Sequence, residues 1–245
     1  MKADPAVQRR LLDLADIDAE LNRLAHRRRT LPEHTELTAA ETAVRAAKDA
    51  LVEVETRAGD LDRDIRRLER DVEAVRARAA RDQKILAGSG VGAKQATDLQ
   101  HELETLARRQ SVLEDEELEV MEQREAVGMD VQHAQRTLDE AQVQQVSVVE
   151  RRDAALADID AGEAGRHRDR DAVVADLPAD LLAAYDRRRA RGGTGAAPLR
   201  ERRCGACRLE LDRTALAALQ GAPADEVVYC EECGTMLVRT PRSSR

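Results

Sequence analysis

The 245-residue sequence contains no phenylalanine and no tryptophan, and its two aromatic side chains are Tyr185 and Tyr229. Large globular cores draw heavily on aromatic burial, so this absence argues against an enzyme-sized core. The sequence also lacks the run of about 18 apolar residues that a membrane span needs, and its first ten residues lack the apolar segment of a signal peptide. We therefore expect a cytoplasmic, non-enzymatic protein with no membrane contact and no small-molecule substrate.

Charged residues make up 36% of the chain, and its net charge is -8. Residues 1–170 carry 28 basic and 37 acidic groups, whereas residues 171–245 carry 12 and 11. The long N-terminal part therefore repels phosphate overall, and the C-terminal part is close to neutral. A composition dominated by Ala, Leu, Glu and Arg is typical of long helices that bury apolar stripes against one another.

Two heptad patterns predict a coiled coil. Apolar residues at alternating intervals of three and four run from Leu37 to Leu86, and a second series runs from Leu99 to Ile159. Such spacing winds helices around each other left-handedly. The glycine-rich segment Ala87–Gly92 separates the two series and allows the chain to reverse. We therefore expect a long antiparallel coiled-coil hairpin over residues 1–170, with its turn near residues 87–95. The second series has weaker, polar core positions: Gln110, Glu117, Arg124, Gln145 and Arg152.

Interruptions in the helical pattern predict where helices end. Pro32 removes a backbone donor and crowds the preceding turn, so the helix must kink or restart there. Thr30 and Glu33 have capping-box spacing, which favours a restart. Gly162 and Gly165 predict the end of the second arm.

Residues 171–245 predict a small C-terminal domain. Pro178 opens a short amphipathic lead-in helix over residues 179–190, and the glycines at 192, 193 and 195 end it. Short apolar segments further on indicate three strands, around Leu209–Leu211, Val227–Tyr229 and Met236–Val238. The predicted fold class is thus mainly α, with the hairpin followed by a small β zinc-ribbon domain.

The zinc ribbon is predicted from two CxxC motifs separated by 22 residues, which supply Cys204, Cys207, Cys230 and Cys233. Two such knuckles give the four thiolates that a tetrahedral Zn²⁺ requires. A thioredoxin-like redox pair, two disulfides or a different metal are the alternatives. A redox pair needs a βαβ context, which is not visible, and disulfides need an oxidising compartment. One structural zinc ion is therefore favoured, and its four protein ligands leave no open position for catalysis.

Together, these features resemble a group of bacterial coiled-coil proteins with a C-terminal C4-type zinc ribbon. The resemblance is carried by Lys94–Leu103, by Leu177–Arg187 and by the two cysteine motifs. It implies a helical hairpin, a bound zinc and a cytoplasmic role. For this group, binding to RNA or to protein partners in transcription or secretion has been proposed. One departure is Arg208, which follows the first motif where a glycine is expected, whereas Gly234 follows the second.

An arginine-rich segment adjoins the cysteine motifs. Between residues 187 and 208, Glu201 is the one acidic residue, against eight arginines: Arg187, Arg188, Arg189, Arg191, Arg200, Arg202, Arg203 and Arg208. This segment is either a solvated face or a phosphate-binding patch. Because aromatic residues are scarce, binding to nucleic acid would be directed at the backbone and sensitive to salt.

Two functional hypotheses follow. In the first, the protein is a non-enzymatic adaptor that binds RNA or DNA beside its ribbon and docks protein partners through the coiled coil. In the second, it is a purely protein-binding scaffold, or a chaperone-like adaptor, for transcription or secretion components.

Overall fold

The structure is a computed structural model, and it describes residues 1–240. Contacts divide the chain into two compact units, which we call the hairpin unit (residues 33–150) and the ribbon unit (residues 1–32 and residues 151 onward). The elements, in chain order, are α1 (Pro5–Arg29), α2 (Pro32–Leu86), α3 (Ala93–Ala175), α4 (Ala179–Ala190), β1 (Ala196–Arg200), β2 (Arg203–Cys204), α5 (Arg213–Gly221), β3 (Val228–Tyr229) and β4 (Met236–Val238). The predicted fold class is confirmed. Within the described residues, no helix combines the length and apolarity that crossing a membrane requires.

In the hairpin unit, α2 and α3 pack antiparallel. Val44 and Ala47, in the first third of α2, are buried with Leu138 in the middle of α3. Val72, near the end of α2, is buried with Leu113 early in α3. The heptad pattern correctly predicted these contacts, because each a/d side chain must face the partner helix.

Ion pairs and hydrogen bonds compensate two of the polar positions in the second heptad series. Arg124 Nε donates to Asp62 Oδ1 of α2 at 2.7 Å. Gln110 Nε2 donates to Glu114 Oε1 at 2.7 Å, and Arg76 of α2 donates to the same oxygen at 2.5 Å. At these two positions, polar contacts with α2 therefore replace apolar packing between the two helices.

The helix restarts at Pro32. Helix α1 ends at Arg29, and Thr30 is its C-terminal cap. The Thr30 hydroxyl donates to the His26 carbonyl oxygen at 3.0 Å. The restart favoured by the sequence is therefore present, but the Thr30 side chain bonds to the end of α1 instead of capping the start of α2.

The prediction that Gly162 and Gly165 end the second arm is wrong, because α3 continues through both to Ala175. A Cβ atom on Gly162 would lie 3.4 Å from Leu24 Cδ1 of α1, an ordinary van der Waals distance, and a Cβ atom on Gly165 would meet nothing within 4 Å. A glycine inside a helix costs only about 1 kcal/mol relative to alanine, so these two glycines do not by themselves end a long helix.

The ribbon unit is built on a four-stranded sheet in the order β2-β1-β4-β3. Strands β1 and β4 are parallel, with Ala196 opposite Met236, and the other two pairs are antiparallel. Strand β1 and helix α5 were not predicted, and the segment Leu209–Leu211 forms only a bridge between Glu210 and Arg203.

Helix α1 belongs to the core of the ribbon unit. Its Leu11 and Leu14 are buried with Tyr185 of α4 and with Met236 and Val238 of β4. The compact units therefore divide the chain differently from the sequence-based division at residue 170, since the first 32 residues group with the ribbon.

Candidate metal centre

The sulfur atoms of the four cysteines converge on one point. All four Sγ atoms lie within 4.8 Å of one another. Cys204 Sγ is 3.7 Å from Cys233 Sγ, and Cys207 Sγ is 3.9 Å from Cys230 Sγ. Four sulfurs at about 2.3 Å from a tetrahedral zinc ion are separated by about 3.8 Å. The thiols thus fit one structural Zn²⁺, as predicted from the CxxC spacing.

The two cysteine motifs have the same backbone hydrogen bonds. In the first, Arg208 N donates to the Cys204 carbonyl oxygen at 2.8 Å, and Cys204 N donates to the Leu209 carbonyl oxygen at 3.0 Å. The second repeats this pattern with Gly234, Cys230 and Thr235, at 2.8 and 2.9 Å. Each motif therefore forms a closed turn that holds its two sulfurs on one side. Cys204 and Cys230 are fully buried, whereas Cys207 and Cys233 are partly exposed.

The surroundings of the thiols perturb their protonation. Burial raises the pKa of the Cys204 thiol to about 12. Burial also acts to raise the pKa of Cys233, but hydrogen bonds from Thr235 and the neighbouring cysteines lower it to about 6. Zinc binds thiolates, so a zinc ion at this site must displace the Cys204 proton.

Thr235 is a residue that the sequence analysis missed. Its side chain is buried, and its hydroxyl lies 3.3 Å from Cys233 Sγ and 3.0 Å from the Thr194 carbonyl oxygen. The hydroxyl donates its one proton to the Thr194 carbonyl oxygen and accepts from the Cys233 thiol. The sequence gives little signal for it, since the equivalent residue of the first motif, Leu209, is exposed.

Arg239 is a second missed residue, and it fixes the loop between α5 and β3. Its guanidinium donates to the carbonyl oxygens of five residues at 2.6 to 3.3 Å: Leu219, Ala222, Pro223, Ala224 and Glu226. The loop leads into β3 and Cys230, so this contact supports the second cysteine motif. Carbonyl acceptors leave no signature in the sequence.

The eight candidate arginines differ in their burial and in their contacts. Arg189 Nη1 lies 3.2 Å from Asp18, a buried carboxylate that also accepts from Tyr185 and Arg170. Arg188 is half-buried against Gly193, and its Nε is without a hydrogen-bond partner in the described part of the chain. The remaining six are exposed: Arg187, Arg191, Arg200, Arg202, Arg203 and Arg208. Of these, Arg202 and Arg203 approach Glu210 at 3.5 and 3.8 Å.

The exposed arginines include residues with an unusual backbone conformation. The described chain has three non-glycine residues with positive φ, and they are Glu201 (47°), Arg202 (70°) and Arg208 (64°). Glu201 and Arg202 form the two-residue turn between β1 and β2, where Arg200 pairs with Arg203. Tight hairpin turns of this kind normally use Asn and Gly. Both the turn and the first cysteine motif thus place an arginine where glycine is favoured.

Comparisons with known proteins agree with this architecture. Residues 14–193 match the family model of the CT398-like coiled coil hairpin domain, and residues 203–237 match that of the C4-type zinc ribbon domain. The uncharacterized protein Rv2229c of Mycobacterium tuberculosis is 42% identical over 239 residues, which are 98% of each chain. The uncharacterized protein ML1638 of Mycobacterium leprae is 34% identical, over 91% of this chain and 96% of that protein.

Solved structures show the same fold. A structure from Mycobacterium smegmatis has 42% sequence identity and a TM-score of 0.89, covering 98% of this chain and 100% of that chain. CT398 from Chlamydia trachomatis has 15% identity and a TM-score of 0.68, covering 96% and 98%. The second likeness concerns the fold alone.

Proposed function

The chain belongs to the family with a CT398-like coiled coil hairpin domain and carries a C4-type zinc ribbon, and from this premise we propose that it is a non-enzymatic adaptor that binds nucleic-acid backbones. The six exposed arginines beside the ribbon contact phosphates of RNA or DNA, and the coiled coil docks protein partners. The zinc ion is structural, because four thiolates complete its tetrahedral shell and leave no position for substrate.

Nucleic-acid binding is supported by the strained backbone conformation of two patch residues, Arg202 and Arg208. A non-glycine residue in the left-handed region costs about 1 to 2 kcal/mol. Strain of this kind is concentrated at binding sites and active sites, where surrounding structure maintains it. Here all three such residues lie within 201–208, and two of them are arginines of the proposed patch.

The charge balance of the arginine patch also favours phosphate. Arg187, Arg191, Arg200 and Arg208 have no acidic partner within residues 1–240. The contacts of Arg202 and Arg203 with Glu210 are exposed, and surface ion pairs of this kind contribute about 0 to 1 kcal/mol. A phosphate can therefore replace Glu210 at little cost. Tyr229 is partly exposed and Tyr185 is buried, so base stacking contributes little and binding is directed at the backbone.

An electrophoretic titration at several salt concentrations tests this function. We expect binding of single-stranded RNA, single-stranded DNA and the duplex to weaken as salt rises, because bound arginines release counterions. Replacing Arg187, Arg191 and Arg200 together by Ala reduces the slope of log K against log salt by about 2 to 3.

Arg136→Ala is the matched control, because Arg136 is an exposed arginine of α3 outside the 187–208 segment. It leaves the salt slope unchanged. Absence of binding near physiological salt, or an equal slope for the triple variant and the control, would contradict nucleic-acid binding and favour the protein scaffold.

A second candidate function, the protein-binding scaffold, is supported by the surface of α3. In the hairpin unit this helix exposes six large apolar side chains: Val112, Leu118, Met121, Met129, Val143 and Val146. A partner helix that packs against α3 would bury such apolar side chains. Methionines in particular adapt to different partners.

The four cysteine ligands are relevant to the cell compartment in which the protein is located. Four cysteines kept as thiolate ligands suit a reducing compartment, in which disulfides do not form. This supports a cytoplasmic location for the adaptor, which fractionation of cells followed by immunodetection tests directly.

A further inference from the structure

A groove on the ribbon unit lies between helix α5 and the edge strand β3. Its volume is about 530 Å³. Its floor is apolar and buried, and consists of Leu211, Ala215, Leu219 and Val227. The side chain of Tyr229 also lines it and remains 43% exposed. Peptides that add a strand to a sheet edge place alternate side chains in pockets beside that edge.

The charged residues that line this groove are both acidic. They are Glu226, in the loop before β3, and Glu231, inside the second cysteine motif. Among residues 1–240, no Lys or Arg lines the groove, although Arg239 donates to the Glu226 carbonyl oxygen at 2.8 Å. The two carboxylates therefore favour a ligand that carries basic side chains.

The backbone N–H and C=O groups of Tyr229 face away from strand β4. Cys230 N donates to the Thr235 carbonyl oxygen, so residues 230 and 235 form a hydrogen-bonded pair. Antiparallel pairs alternate, so the next pair, Tyr229 and Met236, is not hydrogen-bonded. Met236 N agrees with this, because it donates to the Gly195 carbonyl oxygen on the opposite side. The N–H and C=O of Tyr229 consequently face the free edge of β3.

The same edge already holds an extended segment of the chain. Val227 N donates to the Met1 carbonyl oxygen at 3.0 Å, and Ala3 N donates to the Asp225 carbonyl oxygen at 2.7 Å. Lys2 pairs antiparallel with Glu226, and its Nζ contacts Asp225 at 3.0 Å. A short extended segment with a basic side chain is thus bound to the acidic stretch directly before Tyr229.

We propose that the groove between α5 and β3 binds an extended peptide of a partner protein that alternates apolar residues with Lys or Arg. The peptide adds a strand at the edge of β3 and pairs with the main chain of Tyr229. Its apolar side chains enter the floor at Leu211, Leu219 and Val227, and its basic side chains meet Glu226 and Glu231. This inference does not depend on nucleic-acid binding, although Arg187 of the arginine patch lies close enough to act on the Tyr229 hydroxyl at the groove.

The proposal is tested by selecting random seven-residue peptides from a display library against the zinc-loaded full-length protein. We expect enriched peptides to alternate apolar and basic residues. Ala218→Arg places bulk and positive charge in the groove and weakens these peptides at least about tenfold, which corresponds to 1.4 kcal/mol. Ala217→Arg is the matched control, because Ala217 is an exposed neighbour on α5 that does not line the groove.

A second pair of variants tests the charge, and a modified peptide tests the strand pairing. Glu231→Gln weakens the selected peptides, whereas Glu232→Gln, in the same cysteine motif but outside the groove, does not. Methylation of those backbone nitrogens of the peptide that face β3 abolishes binding. Methylation of the alternate nitrogens, which point away from β3, does not. If the Ala218→Arg protein loses zinc or helicity, the comparison of Glu231→Gln with Glu232→Gln tests the proposal instead.

Three results would overturn the proposal. The first is enrichment of no peptide, or of acidic peptides. The second is equal binding of the selected peptides to the Ala218→Arg and Ala217→Arg proteins. The third is a dimer in sedimentation that Ala218→Arg dissociates, because the groove would then hold a second copy of this chain.

Discussion

Arg208 and Gly234 occupy equivalent positions in the two cysteine motifs and share one left-handed backbone conformation, with φ of 64° and 67°. Each donates its backbone N–H to the carbonyl oxygen of the first cysteine of its motif. The second motif uses the residue that tolerates this conformation without strain, and the first uses an arginine. The departure from glycine noted in the sequence therefore does not change the turn, but it stores strain there.

Arg208→Gly should stabilise the ribbon unit by about 1 kcal/mol, because it removes the left-handed strain of a residue with a Cβ atom. Urea unfolding of the zinc-loaded protein, followed by protease sensitivity of the ribbon, measures this. The same variant weakens nucleic-acid binding if Arg208 contacts phosphate, so stability and affinity change in opposite directions.

Gly234→Ala is the reciprocal control. A Cβ atom at Gly234 would lie no closer than 3.9 Å to the Arg188 side chain, so the substitution introduces strain without a clash. We expect a loss of about 1 kcal/mol. If Arg208→Gly destabilised the ribbon instead, the assignment of strain to this position would be incorrect.

Some parts of this fold could be predicted from the sequence because their signals are local. The 3.5-residue repeat from Leu37 to Leu86 predicts α2, and the cysteine spacing predicts the metal ligands. Helix α5 also has a local signal that was overlooked. Asp212 caps its start by accepting from Ala215 N at 2.7 Å, and Leu216 and Leu219 follow at helical spacing.

Other parts could not be predicted because they depend on distant contacts. Strand β1 forms by pairing with β4, about forty positions later in the chain, and its own residues Ala196 and Ala197 have little strand preference. Gly162 and Gly165 do not end α3, because each costs only about 1 kcal/mol and the packing of the whole helix outweighs this cost. The Arg239 contact is equally hidden, since its acceptors are backbone carbonyls.

Removal of zinc, by a chelator or by Cys204→Ser, should unfold the sheet of the ribbon unit while the hairpin unit keeps its helices. The sheet is small, so metal affinity supplies much of its folding free energy. Helix α1 packs on this sheet and should lose protection as well.

Limited proteolysis with mass-spectrometric mapping, together with circular dichroism, measures the effect of zinc removal. New cleavages are expected in residues 5–29 and 196–240, with residues 33–150 still protected. Restored protection on adding Zn²⁺ after chelation is the control. A ribbon that stayed resistant to protease without metal would disprove the dependence.

Arg239→Ala should destabilise the ribbon unit by about 2 to 3 kcal/mol, because it leaves several carbonyl oxygens of the 219–226 loop without their charged donor. Arg239→Lys recovers part of this loss, since an ammonium group cannot reach all five acceptors at once. Arg213→Ala, at an exposed arginine of α5, is the control and changes stability by less than about 0.5 kcal/mol. Equal unfolding midpoints in urea for Arg239→Ala and Arg213→Ala would show that the loop does not depend on the guanidinium.

Tyr185→Phe should destabilise the ribbon unit by about 1 to 2 kcal/mol at neutral pH, because the Tyr185 hydroxyl donates to the buried Asp18 carboxylate at 2.8 Å. Burial, together with Asp18, raises the pKa of Tyr185 well above its ordinary value. A raised pKa means that this stabilisation is complete below the unfolded value of about 10 and is lost as pH rises beyond it. The stability difference between the two proteins, measured by urea unfolding from about pH 7 to about pH 11, should therefore shrink above about pH 10. A difference that stays constant over this range would show that the pKa of Tyr185 is not raised in the folded state.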